Sequence, residues 1–160
     1  PSTVCGYSPR LRLDLTVNIL TNHAITKGEI TVFGGAQKRP NIHIEDMTDL
    51  YINALAYPRE KIHLKTFNAG YENHTVDEIA KMVKEEVGPH VVIKNTPTDD
   101  NRSYHVSSEK ITRELGFKAT HTIREAIQDL KKAFDKGLIP NSMTDSRYYN
   151  IKKMQEIHLN

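Results

Sequence analysis

Cysteine is almost missing from these 160 residues. Cys5 stands alone, which excludes an internal disulfide and fits a reducing compartment, so a cytoplasmic protein is expected. Long apolar runs are missing too. No stretch approaches the roughly 18 consecutive apolar residues that a membrane helix needs, so no membrane partner is expected. The opening residues PSTVCGYSPR are neither basic nor followed by an apolar segment, and do not read as a signal peptide. Charge of one sign is scarce: 22 Lys and Arg against 20 Asp and Glu leave a formal charge of +2. A nucleic-acid module would cluster basic residues with exposed aromatics. Here Lys and Arg alternate with Glu and Asp along helical stretches, the pattern of solvated faces, so no nucleic-acid partner is expected. The only glycine pair is Gly34-Gly35, and no G-x-G-x-x-G spacing occurs, which removes a phosphate-cradling loop of that kind.

What is present suits one domain of ordinary size, with 38% apolar residues for a core and 26% charged residues for a surface. STVCG (2–6) reads as a short buried strand. Leu13, Val17, Leu20 and Ala24 follow at helical spacing, closed by Lys27-Gly28. EITVF is the next strand. NIHIE then alternates, with Ile42 and Ile44 on one face and Asn41, His43 and Glu45 on the other. Met47, Leu50, Tyr51, Ala54 and Leu55 form a helical stripe that stops before Pro58, with Asp46 as its cap. HLKTFNAG, near 62–68, reads as a strand. Thr75 and Glu78 make a capping box, as do Thr122 and Glu125, each opening an amphipathic helix. HVVIK between them is a strand, SEKITRELG a short helix, and the tail from Pro140 a final helical turn or two. The alternation argues an α/β fold with parallel pairing. The chain opens with Pro1 almost inside a strand, and a fragment of a longer protein is expected.

Several residues could carry chemistry. Pro40 imposes an extended backbone on Arg39, presetting a guanidinium fork for phosphate or carboxylate. Arg102 lies in the polar loop TPTDDNR beside two aspartates, where a surface ion pair is the plain alternative. Two arginines on two loops would suit a pyrophosphate. Asn18 is either a satisfied amide near the core or one aimed into a cleft. His43 and Asp46 are three apart, but no further ligand stands at a recognisable spacing, so no metal is expected. Tyr-x-x-x-Lys, a proton-transfer pair when it lies on a helix, occurs at Tyr57/Lys61, Tyr148/Lys152 and Tyr149/Lys153. Pro58 breaks the first, and the others sit in the tail; all three are read as chance, and no catalytic residue is assigned.

Taken together, STVCGYSPRLRLDLTVN, ITVFGGAQKRPNIHIEDMTDLY, FNAGYENHTVDEIAKMV and DDNRSYHVSSEKITRELGF resemble, in order, the C-terminal half of extended short-chain dehydrogenases/reductases, the NAD-dependent nucleotide-sugar epimerase/dehydratase family. The resemblance runs nearly end to end. It implies the C-terminal part of a Rossmann-type parallel sheet plus a small α/β substrate-binding lobe, with the N-terminal cofactor-binding half absent. All of residues 1–160 would form that substrate-binding portion, with the strands near 2–6 and 62–68 joining the missing Rossmann sheet. Arg39 and Arg102 would match the arginines gripping the diphosphate of a nucleoside-diphosphate sugar, and Asn18 an asparagine contacting the same ligand. Thr31, Val32 and Phe33 would match the strand whose backbone lies along the base. Pro1, Ser2, Thr3 and Val4 would pass beside the nicotinamide of NAD or NADP, bound mainly by the N-terminal half. That half carries the family's glycines and catalytic Tyr-x-x-x-Lys, so this stretch alone would be inactive and the intact enzyme a homodimer. A non-catalytic family member that binds a ligand or partner is the alternative; an intact upstream Tyr-x-x-x-Lys helix would favour the enzyme.

Overall fold

The computed structural model describes residues 1–99 and 102–159. In chain order the elements are β1 (Thr3–Cys5), α1 (Thr16–Lys27), β2 (Glu29–Phe33), β3 (Lys38–His43), α2 (Ile44–Ala54), α3 (Arg59–Ile62), β4 (Glu72–Thr75), α4 (Val76–Val87), β5 (Val92–Thr96), α5 (Glu109–Leu115), α6 (Ile123–Asp135), a 3-10 turn at Ser146–Tyr148 and α7 (Asn150–Glu156). Two small sheets result. β1, β3 and β4 form one, with β1 parallel and β4 antiparallel to β3. β2 and β5 form the other, in parallel.

Both capping boxes form. Thr75 Oγ1 accepts from Glu78 N at 3.2 Å while Glu78 accepts from Thr75 N at 2.8 Å. Thr122 and Glu125 repeat the exchange at 3.3 and 2.6 Å. Each box satisfies amide groups that the first helical turn leaves orphaned, fixing where α4 and α6 begin. From those starts the apolar spacing turns Ile79, Ala80 and Val83 of α4, and Ala126 and Ile127 of α6, onto Val17, Leu20 and Ala24 of α1. Ile30 and Val32 of β2 complete this core. A second core gathers Ile42, Met47, Leu50, Ile111 and Phe117 beneath α2 and α5. A third joins Leu11 and Leu13 to Leu130, Ala133, Ile139 and Tyr148 of the C-terminal segment. Each fully buried Ile or Leu here stabilises by about 1.5–3 kcal/mol.

Several expectations change. The alternation of NIHIE separates Ile42 and Ile44 from Asn41, His43 and Glu45, but Asn41 and His43 are buried along with Ile42. β3 is the central strand, and its buried polar side chains are only partly satisfied: Asn41 Nδ2 donates to Arg39 O and His43 Nδ1 accepts from Glu45 N, while Asn41 Oδ1 and His43 Nε2 have no partner among the described residues. The strand also ends at His43, so Ile44 already belongs to α2. His43, not Asp46, is the N-cap of α2, its Nδ1 accepting from Glu45 N at 3.2 Å. The α2 stripe is buried only at Met47 and Leu50; Tyr51 is 62% and Leu55 90% exposed. Residues 62–68 form no strand. Ile62 ends α3, Leu64 takes a left-handed φ of 54°, and no described strand pairs with the segment; one bond, Ser2 N to Ala69 O at 2.6 Å, ties the residue after it to the entry of β1. The expected strand HVVIK lies two residues later, as β5.

Candidate ligand-binding site

The turn between β2 and β3 is built to present Arg39. Gln37 folds back, its Nε2 donating to Phe33 O at 2.6 Å and its Oε1 accepting from Gly35 N at 2.7 Å. Gly35 has φ 110°, and a Cβ there would sit 2.3 Å from Asp77 Oδ2. The glycine pair therefore serves this chain's own packing, since Gly35 faces the first turn of α4, whose Asp77 N donates to its carbonyl at 3.0 Å. β3 starts immediately afterwards. Pro40 lies ahead of the β1 pairing, which begins at Asn41, and opposite Asn73 in the pairing with β4.

Arg39 is half-buried. Its Nη1 donates to Arg102 O at 2.5 Å and to Lys38 O at 3.0 Å, and its guanidinium lies 5.7 Å from the Tyr104 ring centroid. Ser103 Oγ accepts from Lys38 N at 3.0 Å, stitching the loop after β5 to the start of β3. Arg39, Arg102, Ser103 and Tyr104 line one crevice of about 420 Å³. Of the two aspartates beside Arg102, Asp100 lies outside the described residues. Arg39 also lines an adjoining cleft of about 410 Å³ with Thr31, Phe33, Gln37 and His23. Val32, between the two strand residues, is fully buried, so only its backbone faces that side. Burial, reinforced by the Lys27 charge, holds His23 below the usual imidazole range, leaving a neutral ring in the cleft.

Pro1, Ser2, Thr3 and Val4 line a separate cleft of about 390 Å³ together with Asn18, Arg12 and Tyr51. The Asn18 amide is committed within the chain: Oδ1 accepts from Gly6 N at 3.1 Å and Nδ2 donates to Arg12 O at 2.8 Å. It braces the loop after β1, leaving one amide hydrogen for any other acceptor. Ser2 Oγ is buried and finds no hydrogen-bond partner among the described residues. A fourth cleft, about 440 Å³, lies between Tyr7–Leu11 and the C-terminal segment and contains none of the expected residues. Similar volumes do not rank these clefts; the chemistry of their walls does.

Sequence reading missed a cluster at the start of α2. Asp46 accepts from Thr120 N (3.1 Å), Thr120 Oγ1 (3.3 Å), His121 N (2.9 Å) and His121 Nδ1 (2.8 Å). Desolvation alone would raise the Asp46 pKa, but these donors override it and hold the carboxyl below its usual range. The same bond to Asp46 is the main reason the His121 pKa lies above its ordinary value. Burial, and then the nearby His121 charge, push His43 down. The His43 and His121 ring centroids are 5.1 Å apart, and Glu45 Oε2 lies 3.4 Å from His121 Nε2. His43, Glu45 and His121 form a group able to hold a metal ion. The first two are neighbours in sequence; His121 is brought in by the fold.

No protein-family model matches the chain. Its fold is that of the C-terminal portion of extended short-chain dehydrogenases/reductases, as expected. A UDP-glucuronic acid 4-epimerase from Bacillus cereus superposes with a TM-score of 0.72 at 19% identity, over 84% of this chain and 43% of that one. A UDP-glucose 4-epimerase from Thermotoga maritima gives 0.61 at 24%, over 86% and 45%. An L-threonine dehydrogenase from Phytophthora infestans gives 0.71 at 14%, over 86% and 47%. The chain thus spans less than half the length of these structures. The third acts on an amino acid, so this fold does not by itself fix the substrate. No described helix is long and apolar enough to cross a membrane.

Proposed function

We propose that the chain is the substrate-binding half of a cytoplasmic, NAD-dependent nucleotide-sugar epimerase/dehydratase, and that its ligand is a nucleoside-diphosphate sugar. One observation carries the reading: Arg39 belongs both to the crevice with Arg102 and to the cleft with Thr31 and Phe33. A diphosphate held by two guanidinium groups would then have the β2 edge beside it for the base. Tyr104, whose ring lies 5.7 Å from the Arg39 guanidinium, and the exposed Phe33 of the adjoining cleft offer flat aromatic surfaces.

Pro1 to Val4, with Asn18, would form one wall for the nicotinamide end of NAD or NADP. The buried, unpartnered Ser2 Oγ fits a polar group there, while the described residues supply no glycine-rich loop for the cofactor's phosphates. When bound, the cofactor supplies hydride transfer to and from the sugar. This chain's part is to bind and orient the substrate; proton transfer falls to the N-terminal half. The exposed Tyr51, Ile52, Leu55 and Leu64 support such a partner, because a face of this kind calls for cover. The strand β1 and the segment 62–68 would join that half's sheet, and the intact enzyme would be a homodimer. The parallel with the Bacillus cereus epimerase, solved with NAD and a UDP-sugar analogue, favours the same ligand classes here.

The test is calorimetric titration of the full-length protein with UDP-, GDP-, CDP- and dTDP-sugars. Arg39→Ala and Arg102→Ala should each weaken the sugar nucleotide that binds by about 1.5–3 kcal/mol, the scale of a hydrogen bond to a charged group. That is roughly a 10- to 150-fold rise in Kd. Unchanged affinity in both variants would reject the diphosphate clamp.

A further inference from the structure

We propose that His121, Glu45 and His43 form a site for a divalent first-row metal ion, zinc foremost, which would clamp the start of α2 to the residues that precede α6. The inference is independent of the sugar-nucleotide reading. Ligand bonds of about 2.0–2.1 Å arranged tetrahedrally place neighbouring ligand atoms about 3.4 Å apart. His121 Nε2 and Glu45 Oε2 are 3.4 Å apart. One ligand atom from each of the three residues lies within 4.8 Å of the others, so a small closing movement completes the triangle. Two imidazoles and one carboxylate suit zinc; magnesium and calcium prefer all-oxygen shells.

Both rings are backed by carboxylates, the usual support of metal-binding histidines. His121 Nδ1 is hydrogen-bonded to the buried Asp46 at 2.8 Å, so its proton belongs on Nδ1 and the Nε2 lone pair faces Glu45. Across the pair, His43 Nε2 is buried without a hydrogen-bond partner, 3.6 Å from Asp129 Oδ2. That edge of the ring is closed by Gly6, whose Cβ would sit 3.2 Å from Nε2. The proton therefore suits Nε2, toward Asp129, and Nδ1 carries the lone pair for the metal. Nδ1 now accepts the long 3.2 Å bond from Glu45 N, which it would give up. Asp129 would then close on the Nε2 proton that currently lacks an acceptor. Entry is through Glu45, whose side chain is 63% exposed, while His43 is sealed at 1%. Water would take the fourth position.

The competing account is a protonated His121 paired with Glu45 and nothing more. Zinc titration of the full-length protein against a chromophoric chelator at neutral pH separates the two, with cobalt absorption as the readout of geometry. The expected result is one tight equivalent and a tetrahedral cobalt spectrum. Glu45→Gln, at an exposed position that the fold does not need, and His121→Asn should each weaken zinc by at least the roughly 10–100-fold typical of losing even an outer-shell partner. His74→Ala, at a second histidine flanked by Glu72 and Glu78, should leave binding unchanged. No uptake by the unmodified protein, uptake that survives both Glu45→Gln and His121→Asn, or uptake lost with His74→Ala would each overturn the site.

Discussion

Asp46→Asn should be among the most damaging conservative substitutions in this chain. The side chain is buried, and its two oxygens collect the backbone amides of Thr120 and His121, the Thr120 hydroxyl and His121 Nδ1. An asparagine of the same shape keeps one acceptor oxygen and turns an N–H₂ toward the remaining donors. At least one buried backbone N–H would then face another donor, at about 1–3 kcal/mol, and the charge-assisted bond to His121 would weaken by a similar amount. The sum is roughly 2–6 kcal/mol, the range in which breaking one side of a buried ion pair falls. Urea unfolding followed by circular dichroism, extrapolated linearly to water, measures it. The pH dependence has a definite sign. Asp46 is depressed in the folded state, so its contribution is present above the unfolded carboxylate pKa and fades as pH falls through the folded one. His121 is raised, so its contribution is complete below the unfolded imidazole pKa and fades as pH rises through the folded one. The pair therefore stabilises most in the mildly acidic interval between them. A variant within about 0.5 kcal/mol of the parent, or one whose stability shows the same pH profile as the parent's, would refute the cross-link.

Gly35→Ala should cost about 1–3 kcal/mol from its positive φ alone, with Asp77 forced aside in addition. In full-length protein it should also weaken sugar-nucleotide binding, because the turn sets the start of β3; a stability within error of the parent would show that the turn relaxes freely. Cys5 is pushed up to about 12, by burial first and the Glu72 charge second. Native protein at pH 8 should resist iodoacetamide that modifies the urea-unfolded chain readily, and modification at equal rates would refute the burial. Because the thiol is raised above its unfolded value of 9.0, its stabilising contribution is intact below that pH and is lost as pH climbs toward 12.

Local signals were legible because their partners lie within a few residues. The two capping boxes span three residues each, and both form as read. The helix over Thr16–Lys27 and the strand over Glu29–Phe33 follow from periodicity and a closing glycine, although Leu13, read as the first residue of the helical stripe, lies ahead of the helix and packs in the third core. Asp46 was misread for the opposite reason: near a helix start, a carboxylate has a ready local explanation, and its true partners lie more than seventy residues away. The α2 stripe shows a different limit. Helical periodicity records that Tyr51 and Leu55 share a face with Met47 and Leu50, but the same pattern arises whether that face meets this chain's core or a covering partner. In 62–68, apolar and β-branched residues suggested a strand, yet a strand exists only where another edge can pair with it.

The candidate site combines both kinds of information. Arg39 beside Pro40 and Arg102 in a polar loop are visible as residue types, but nothing local brings them together. Their meeting follows from one parallel pairing. β2 and β5 run side by side in register from Glu29 with Val92 to Phe33 with Thr96, so both strands release the chain at the same end. Gly34 N donates to Thr96 O at 2.9 Å, carrying the register past the last paired residues. From that point the chain leaving Phe33 and the chain leaving Thr96 start at the same edge, and Ser103 and Arg102 O dock on Lys38 and Arg39. Parallel strands place their following loops on one edge as a matter of topology, which is where α/β folds gather ligand-binding groups. The two arginines converge because β2 and β5 point the same way. An antiparallel pairing of the same sequences would have sent Arg39 and Arg102 to opposite ends of the sheet.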